Sequence, residues 1–349
     1  MIMKKNIYTS IIRALGCLLL LPAFVSSCLR EEPELTADGE LGVDPTAVNI
    51  MTNLTLETSF EPVEINRSTR AATDTYLHRF VVTAYEGTQK VAQQVVYQEI
   101  QAGETTVSIP LTMKLHARNY QLAVWADYAV KNDETISQTF YDTDDMAFIL
   151  RATPYKGNSQ YYDAFYGNTP LDLTAYRDQW NVIVPVDVKM SRPMARYNLI
   201  ATDVVKFLKK IADKEITGKK FTITVKYNYY LPTGFDALTG RLKRSLQYME
   251  YNKTVELATL QKLENALGFN IGFDYLLINN DTPSSIPVTI EVANESKVIV
   301  ARYQNLKIPY ERNKETNLRG HFLTASPGIN FDPDFEDEDI IIDINPIIK

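Results

Sequence analysis

Cysteine is nearly absent from this 349-residue chain: Cys17 and Cys28 are the only two, and both lie in one apolar segment near the start. A chain with so few cysteines must be stabilised by packing rather than by disulfide bonds. Histidine is almost as scarce, and His78, His116 and His321 are too far apart in sequence to show a metal-ligand spacing. The sequence contains no HExxH, GxSxG or glycine-rich phosphate motif. We therefore predict no catalytic residue, no metal site and no cofactor.

Long hydrophobic runs are missing as well. The most apolar segment, Ala14 to Val25, is shorter than the roughly 20 residues of a membrane-spanning helix, and Pro22 interrupts it. Three basic residues precede this segment and two serines follow it, which is the order of a secretory signal peptide. We predict that residues 1–27 are a signal peptide and are removed.

The residues "VSSC", Val25 to Cys28, resemble the lipobox of bacterial lipoproteins, in which the cysteine is acylated and becomes the first mature residue. The resemblance implies that Cys28 carries lipid and that the outer membrane is a partner through this anchor. The alternative is a plain secreted protein with a free thiol at Cys28. The following "LREEPE" resembles the surface-export signal of Bacteroidota lipoproteins, although an ordinary solvated linker would look similar. We predict a flexible tether over residues 28–45 and a location on the cell surface.

Positive charge is in the minority, with 36 Lys and Arg against 43 Asp and Glu. Loss of residues 1–27 removes three basic residues and no acidic ones, so the mature chain has 33 against 43, a net charge of −10. Such an acidic chain is a poor partner for nucleic acid, whose phosphates require basic patches. Anionic lipid would repel it too, so the acyl chains must hold it at the membrane.

Apolar–polar alternation is the most abundant pattern in the chain, and a period of two is typical of half-buried strands. It is clearest in four segments: "NIMTNLTLETSF", "TTVSIPLTM", "YQLAVWADY" and "VIVPVDVKM". Two denser runs, "FVVTAY" and "VIVARY", predict central strands that are covered on both faces.

Helical patterns are sparse and are confined to "TDVVKFLKKIADKE" and "LATLQKLENALGF". The mature chain is longer than one hydrophobic core usually serves, which favours two domains. We predict a mainly β fold of two tandem antiparallel β-sandwiches, at residues 46–201 and 202–349, with one or two short helices.

A series of motifs carries a more specific resemblance. These are "YQLAVWADY", "YYDAFYG", "SRPMARYNLIATDVVKFL", "YYLPTGFDALTGRL", "LGFNIGFDYLLIN", "IPYERNKETNLRGHFLT" and "FDPDFEDEDIIIDI". From about Tyr76 to the C-terminus, the chain resembles a family of Bacteroidales lipoproteins that is similar to fimbrillins. The resemblance implies two transthyretin-like sandwich domains on a lipid anchor, as in the shaft, tip and anchor subunits of type V pili.

In type V pili, an arginine protease removes an N-terminal strand, and a donor strand from the next subunit fills the groove. The resemblance therefore implies other fimbrial subunits as partners and makes Arg67 and Arg70, in "EINRSTRAATDTY", candidate sites of proteolytic maturation. The alternative is that both arginines are solvated linker residues. An anchor subunit would not need the cut, since the cut would detach it from its lipid.

The C-terminal segment "DIIIDINPIIK" has alternating isoleucines and predicts a strand. This strand could be donated to a neighbouring subunit or could pair within its own domain, and the second is favoured because sequential strands usually pair nearby.

Two other functions remain open from the sequence. The tyrosine-rich segments "YDAFY" and "YNYY" could stack on sugar rings, which would make the protein a glycan-binding lipoprotein, although tyrosine is also common on sheet faces. Part of "YNYY" is expected to face the core.

A glycoside hydrolase needs two catalytic carboxylates. Five aspartates could supply such a pair: Asp127, Asp142, Asp144, Asp145 and Asp163. The acidic run "DPDFEDED" could hold Ca²⁺, but it lacks the glycine turn and spacing of an EF-hand loop.

Overall fold

The computed structural model describes residues 48–56, 74–99, 106–132, 135–177, 182–263, 266–279, 283–326 and 341–346. The predicted signal peptide, the tether and the site residues Cys28, Arg67 and Arg70 lie outside these ranges, as does the acidic run 332–339. In the described part of the chain, neither α-helix is long and apolar enough to cross a bilayer.

The first half of the described chain consists of ten strands and two short 3₁₀ segments, Gln160–Tyr162 and Thr174–Tyr176. The strands are β1 (Val48–Leu56), β2 (Asp74–Glu86), β3 (Gln89–Gln98), β4 (Thr106–Leu115), β5 (Asn119–Asn132), β6 (Thr135–Thr139), β7 (Tyr141–Asp142), β8 (Ile149–Arg151), β9 (Phe165–Asp172) and β10 (Ile183–Met190).

The second half has ten more strands and two α-helices, so the prediction of a mainly β fold with one or two short helices is confirmed. The elements are β11 (Met194–Ala201), α1 (Val204–Ala212), β12 (Lys220–Tyr227), β13 (Leu231–Asp236), β14 (Arg241–Leu246), β15 (Glu250–Glu256), α2 (Leu257–Gln261), β16 (Phe269–Leu277), β17 (Ser284–Asn294), β18 (Ile299–Tyr310), β19 (Lys314–Gly320) and β20 (Ile341–Pro346).

The first sandwich packs two sheets around an apolar core. One sheet has the order β3-β2-β5-β6, with β9 also paired to β5, and the other has the order β10-β1-β4. Burial alternates along β4 and β10 as the sequence pattern predicts: odd-numbered residues of β4 and even-numbered residues of β10 point into the core. This alternation lets each strand bury one face while the other meets solvent.

Strand β5 departs from the half-buried state that its alternation predicts. Leu122 and Val124 face the core of the first sandwich, but Ala123 and Trp125 on the opposite face are also fully buried. The cause is a second apolar layer that covers the outer face of the sheet. Strand β2 is covered in the same way, as its dense apolar run predicts.

The second sandwich pairs the sheet β16-β11-β19-β20 with the sheet β15-β12-β17-β18. Helix α1 closes one end of its core, where Phe207 packs edge-to-face on Phe221 with ring centroids 5.0 Å apart. The segment "VIVARY" was expected to be central, but it begins β18, which is the edge strand of its sheet and is only partly buried. A short apolar run cannot distinguish these two positions.

Most strand pairs are antiparallel, as expected, but two are parallel: β1 with β10, and β11 with β19. Each parallel pair joins strands from distant parts of the chain, because a parallel pair requires a long crossover connection. Alternation predicts strands but not their direction, so this detail was absent from the sequence-based expectation.

Strand β11 pairs with β16 and β19, both from the second half of the chain. Strand pairing thus groups β11 with the second sandwich, slightly before the predicted boundary near residue 202. That boundary stays a prediction.

A third, smaller sheet joins the two sandwiches. Its order is β14-β13-β8-β7, so a strand pair from the first half of the chain meets a strand pair from the second half. Around it lies a separate apolar cluster that includes Trp125 and Tyr141 from the first half and Phe235 and Tyr275 from the second. We call this cluster the junction core. It is the layer that covers the outer face of β2 and β5.

Candidate functional site

Strand β1 lies in the middle of its sheet, between β4 and β10. It pairs with β10 over residues 49–56 and with β4 over residues 48–55. In the described chain, β4 and β10 are joined in this sheet through β1. Loss of β1 would therefore open a groove one strand wide, with an unpaired backbone edge on each side.

The floor of such a groove would be apolar. The strands on either side of β1 turn nine buried side chains toward the sandwich core: Val107, Ile109, Leu111, Met113 and Leu115 in β4, and Val184, Val186, Val188 and Met190 in β10. Unpaired edges above an apolar floor are the features that an added strand uses for binding, with backbone hydrogen bonds for affinity and apolar side chains for register.

The C-terminal segment forms strand β20, as its alternating isoleucines predicted. It pairs antiparallel with β19 of its own chain, at the edge of the second sandwich. Its isoleucines remain open to solvent, with exposed fractions of 60% for Ile341, 44% for Ile342 and 42% for Ile344. Backbone pairing, rather than apolar burial, therefore holds this strand in place.

Two of the carboxylates considered for glycoside hydrolysis lie in buried ion pairs. Asp127 accepts two hydrogen bonds from Arg79, at 2.7 and 2.6 Å, and Asp163 accepts two from Arg192, at 2.6 and 2.8 Å. Burial raises the pKa of the Asp127 carboxyl, and the charge of Arg79 opposes that rise. Both pairs cross between strands or loops of the first half and act as structural contacts.

The other three carboxylates lie at the end of β7 and in the turn that follows it. Asp142 accepts a hydrogen bond from the backbone of Asp144, and Asp145 accepts one from the backbone of Ala147. Tyr85 also donates to Asp145 at 3.2 Å. These contacts are typical of side chains that shape a turn.

His78 is buried against Tyr128, with ring centroids 4.7 Å apart. Burial lowers the pKa of His78 to about 4, against the opposing effect of Asp163. In the described part of the chain, no group of three His, Cys, Asp or Glu side chains is arranged to hold a metal ion.

The two tyrosine-rich segments differ in how deeply their aromatic side chains are buried. Tyr162 and Phe165 of "YDAFY" are buried. In "YNYY", Tyr227 lies in the core of the second sandwich, but Tyr229 and Tyr230 are 65% and 58% exposed. Only Tyr227 of this segment faces the core; Tyr229, two positions later, does not, because β12 ends at Tyr227 and the alternation ends with it.

The junction also contains a buried polar cluster that no sequence pattern indicated. Arg151 from β8 donates to Asp274 from β16 at 3.0 Å and to the carbonyl of Tyr275 at 3.1 Å. Asp274 also accepts hydrogen bonds from Tyr155 and, at 2.7 Å, from Tyr227. Burial raises the pKa of Tyr227 well above its usual value, so its hydroxyl keeps its proton and can donate.

The cluster ties the two halves of the chain together. Arg151 and Asp274 are more than 120 residues apart in sequence and are almost completely buried. The Arg151 guanidinium also lies over the Tyr162 ring, 4.2 Å from its centroid. A buried hydrogen-bonded cluster of this kind helps to fix the orientation of the elements that supply it.

These features define a class: a mainly β protein of two sandwiches with a shared junction core. The chain belongs to a family of unknown function (DUF6562), whose model matches residues 45–345. No curated protein matches the sequence.

Several solved structures resemble this chain at low sequence identity. A candidate cell adhesion protein from Bacteroides ovatus is 13% identical, with 87% of this chain and 99% of that chain covered and a TM-score of 0.41. The fimbrial anchor protein Mfa2 from Porphyromonas gingivalis is 10% identical, with 85% and 98% covered and a TM-score of 0.37. A fimbrial assembly protein from Parabacteroides distasonis is 11% identical, with 87% and 97% covered and a TM-score of 0.40.

Proposed function

We propose that this chain is a surface lipoprotein, anchored in the outer membrane through Cys28, that acts as a fimbrillin-like structural or adhesive component. The observation that carries the proposal is the position of β1, which completes the first sandwich between β4 and β10. The segment that follows β1 contains Arg67 and Arg70. Cleavage there would release β1 and expose the groove described above to a strand from another subunit.

Strand β20 supports the same role from the other end of the chain. It carries three partly exposed isoleucines and is paired on one side, with β19, among the described residues. Detaching such a strand costs less apolar burial than detaching a core strand. Its alternating side chains would match the apolar floor between β4 and β10.

The test is to express the full chain in its own host, determine the mature N-terminus and examine SDS-resistant ladders. A shaft or tip subunit is expected to begin at Ser68 or Ala71 in the ladder, and an R67A/R70A variant is expected to keep its N-terminus at Cys28 and lose the ladder. A monomeric band with lipid on Cys28 would instead identify an anchor or a stand-alone binder. An unmodified Cys28 sulfur would overturn the proposal.

A second function, binding of glycans at the cell surface, is favoured by one observation. Tyr229 and Tyr230 present two adjacent and largely exposed aromatic rings. Large exposed aromatic side chains in neighbouring positions are a frequent feature of binding surfaces. The geometry around them is developed below.

A further inference from the structure

An open groove lies beside Tyr229 and Tyr230, where the chain passes from β12 of the second sandwich to β13 of the junction sheet. It is lined by three tyrosines and two prolines from separate parts of the chain: Tyr229, Tyr230, Tyr310, Pro232 and Pro287. Its volume is about 360 Å³, within the range of roughly 300 to 1,000 Å³ that is usual for small-molecule sites. We call it the tyrosine groove.

The walls of the tyrosine groove are held in place by the backbone. Asn228 donates its backbone N–H to the carbonyl of Pro287 at 3.0 Å, and its side chain accepts a hydrogen bond from Thr289 at 3.0 Å. Ser284 of β17 pairs with Tyr310 of β18, which fixes the opposite wall. The backbone of the groove is therefore pre-organised, and a ligand would have to order only the exposed tyrosine rings.

The floor and the rim differ in chemistry. Ile286 is buried at the floor, and Ser285 is exposed at the rim. Tyr229 and Tyr230 make no side-chain hydrogen bond to any other described residue, so their hydroxyls are available to a ligand. The groove thus offers aromatic faces together with neutral hydroxyl groups.

Charge decides what kind of ligand fits. No lining residue is an acid or a base, and the whole chain has a net charge of −7. An anionic ligand would gain no ion pair here and would be repelled by the protein as a whole. A cation would find aromatic faces but no carboxylate in the lining. A neutral ligand with one apolar face and several hydroxyls matches both the rings and the rim.

We propose that the tyrosine groove binds a neutral carbohydrate, one or two sugar rings at a time. The C–H face of a pyranose carries slight positive charge and packs on the negative face of an aromatic ring. Tyr229, Tyr230 and Tyr310 supply such rings, while Ser285 and the tyrosine hydroxyls bond to sugar hydroxyls. This inference rests on the adhesive role proposed above and gives that role a ligand.

The experiment applies the full chain, purified in detergent, to an array of neutral oligosaccharides and to gels that contain galactomannan, xylan or β-glucan. We expect binding to at least one neutral glycan. The Y229A/Y230A variant should weaken it by about tenfold or more, since an aromatic contact contributes up to about 1.5 kcal/mol. Y230F, which retains the ring, should keep most of the affinity. Y248A is the matched control, because Tyr248 is 91% exposed and does not line the groove.

Several results would overturn the inference. These are binding to no neutral glycan, unchanged binding by Y229A/Y230A, or a preference for polygalacturonate or for a proline-rich decapeptide. Self-association that Y229A/Y230A abolishes would also overturn it, since the occupant would then be a second copy of the chain. The mature N-terminus and the SDS-resistant ladder are measured separately and do not depend on glycan binding. The glycan site can therefore be rejected without rejecting the pilus role, and the reverse also holds.

Discussion

At the residue scale, the pair Arg151–Asp274 is a buried ion pair that joins the two halves of the chain. Both side chains are almost fully buried, and removing one member of a buried pair leaves the other charge unpaired. Neither residue stands out in the sequence, because an arginine and an aspartate more than 120 positions apart follow no local pattern.

We expect Asp274→Asn to lower the free energy of unfolding by about 3–5 kcal/mol, because the Arg151 charge would lose its buried partner. Chemical denaturation measures the change. Asp213→Asn, which removes the exposed partner of Lys209, should leave the denaturation midpoint nearly unchanged. The double variant R151M/D274N should recover part of the loss. An equally small effect at both aspartates would contradict the structural role of the junction pair.

Burial of the His78 side chain is expected to make the stability of the fold depend on pH. Burial lowers its folded-state pKa from 6.5 to about 4, so the unfolded chain takes up a proton first as the pH falls. Stability is therefore intact above about pH 6.5 and is lost progressively toward pH 4, by about 3 kcal/mol from this residue. Unfolding of the unchanged protein and of His78→Gln, measured at pH 7 and pH 4.5, should show a smaller acid loss in the variant. Equal losses would argue against a buried neutral imidazole.

At the element scale, alternation in sequence predicted β4 and β10 accurately because each has one face in the core and one in solvent. It failed where a strand is covered twice, as in β5, or where a dense apolar run lies at an edge, as in β18. Both failures have one cause: whether other elements cover a strand depends on residues that are distant from it in sequence. For the same reason, the sequence predicted only part of the tyrosine groove. The segment "YNYY" supplies Tyr229 and Tyr230, but Tyr310 and Pro287 come from other strands.

Strand β20 should be the least protected of the strands in its sheet, because its side chains are exposed. Hydrogen exchange followed by mass spectrometry is expected to show much faster exchange in residues 341–346 than in β11. Truncation after residue 340 should cost less stability than Leu318→Ala in β19, where loss of a fully buried leucine costs about 2–5 kcal/mol. Slow exchange in β20, equal to that of β11, would show that this strand is firmly held.

At the scale of the whole molecule, we expect the junction core to make the two sandwiches unfold as one cooperative unit. Its buried side chains come from both halves, and β8 pairs directly with β13. Chain length, alternation and the resemblance of motifs predicted two sandwiches, and the sheets of the structure form two. The junction core and the pairing of β8 with β13 could not be predicted, because they depend on how the two domains face each other.

Scanning calorimetry of the full chain should therefore show a single unfolding transition. Trp125→Ala, which creates a cavity in the junction core, should lower the whole transition rather than split it. Residues 1–193 and 194–349 expressed separately should be less stable than the full chain, since each would expose half of the junction core to water. Two well-separated transitions in the full chain would contradict this expectation.

The central position of β1 has a mechanical consequence. Tension applied to the chain just before Val48 would run along the axis of β1, across the ladders to β4 and β10 on both sides. Hydrogen bonds that lie across the direction of pull share the load and yield together in shear, whereas those at a strand end that is peeled sideways break one at a time. The uncut first sandwich is thus built to withstand force at its N-terminal end, whereas after a cut beyond β1 these two ladders alone would connect the pulled strand to the rest of the domain.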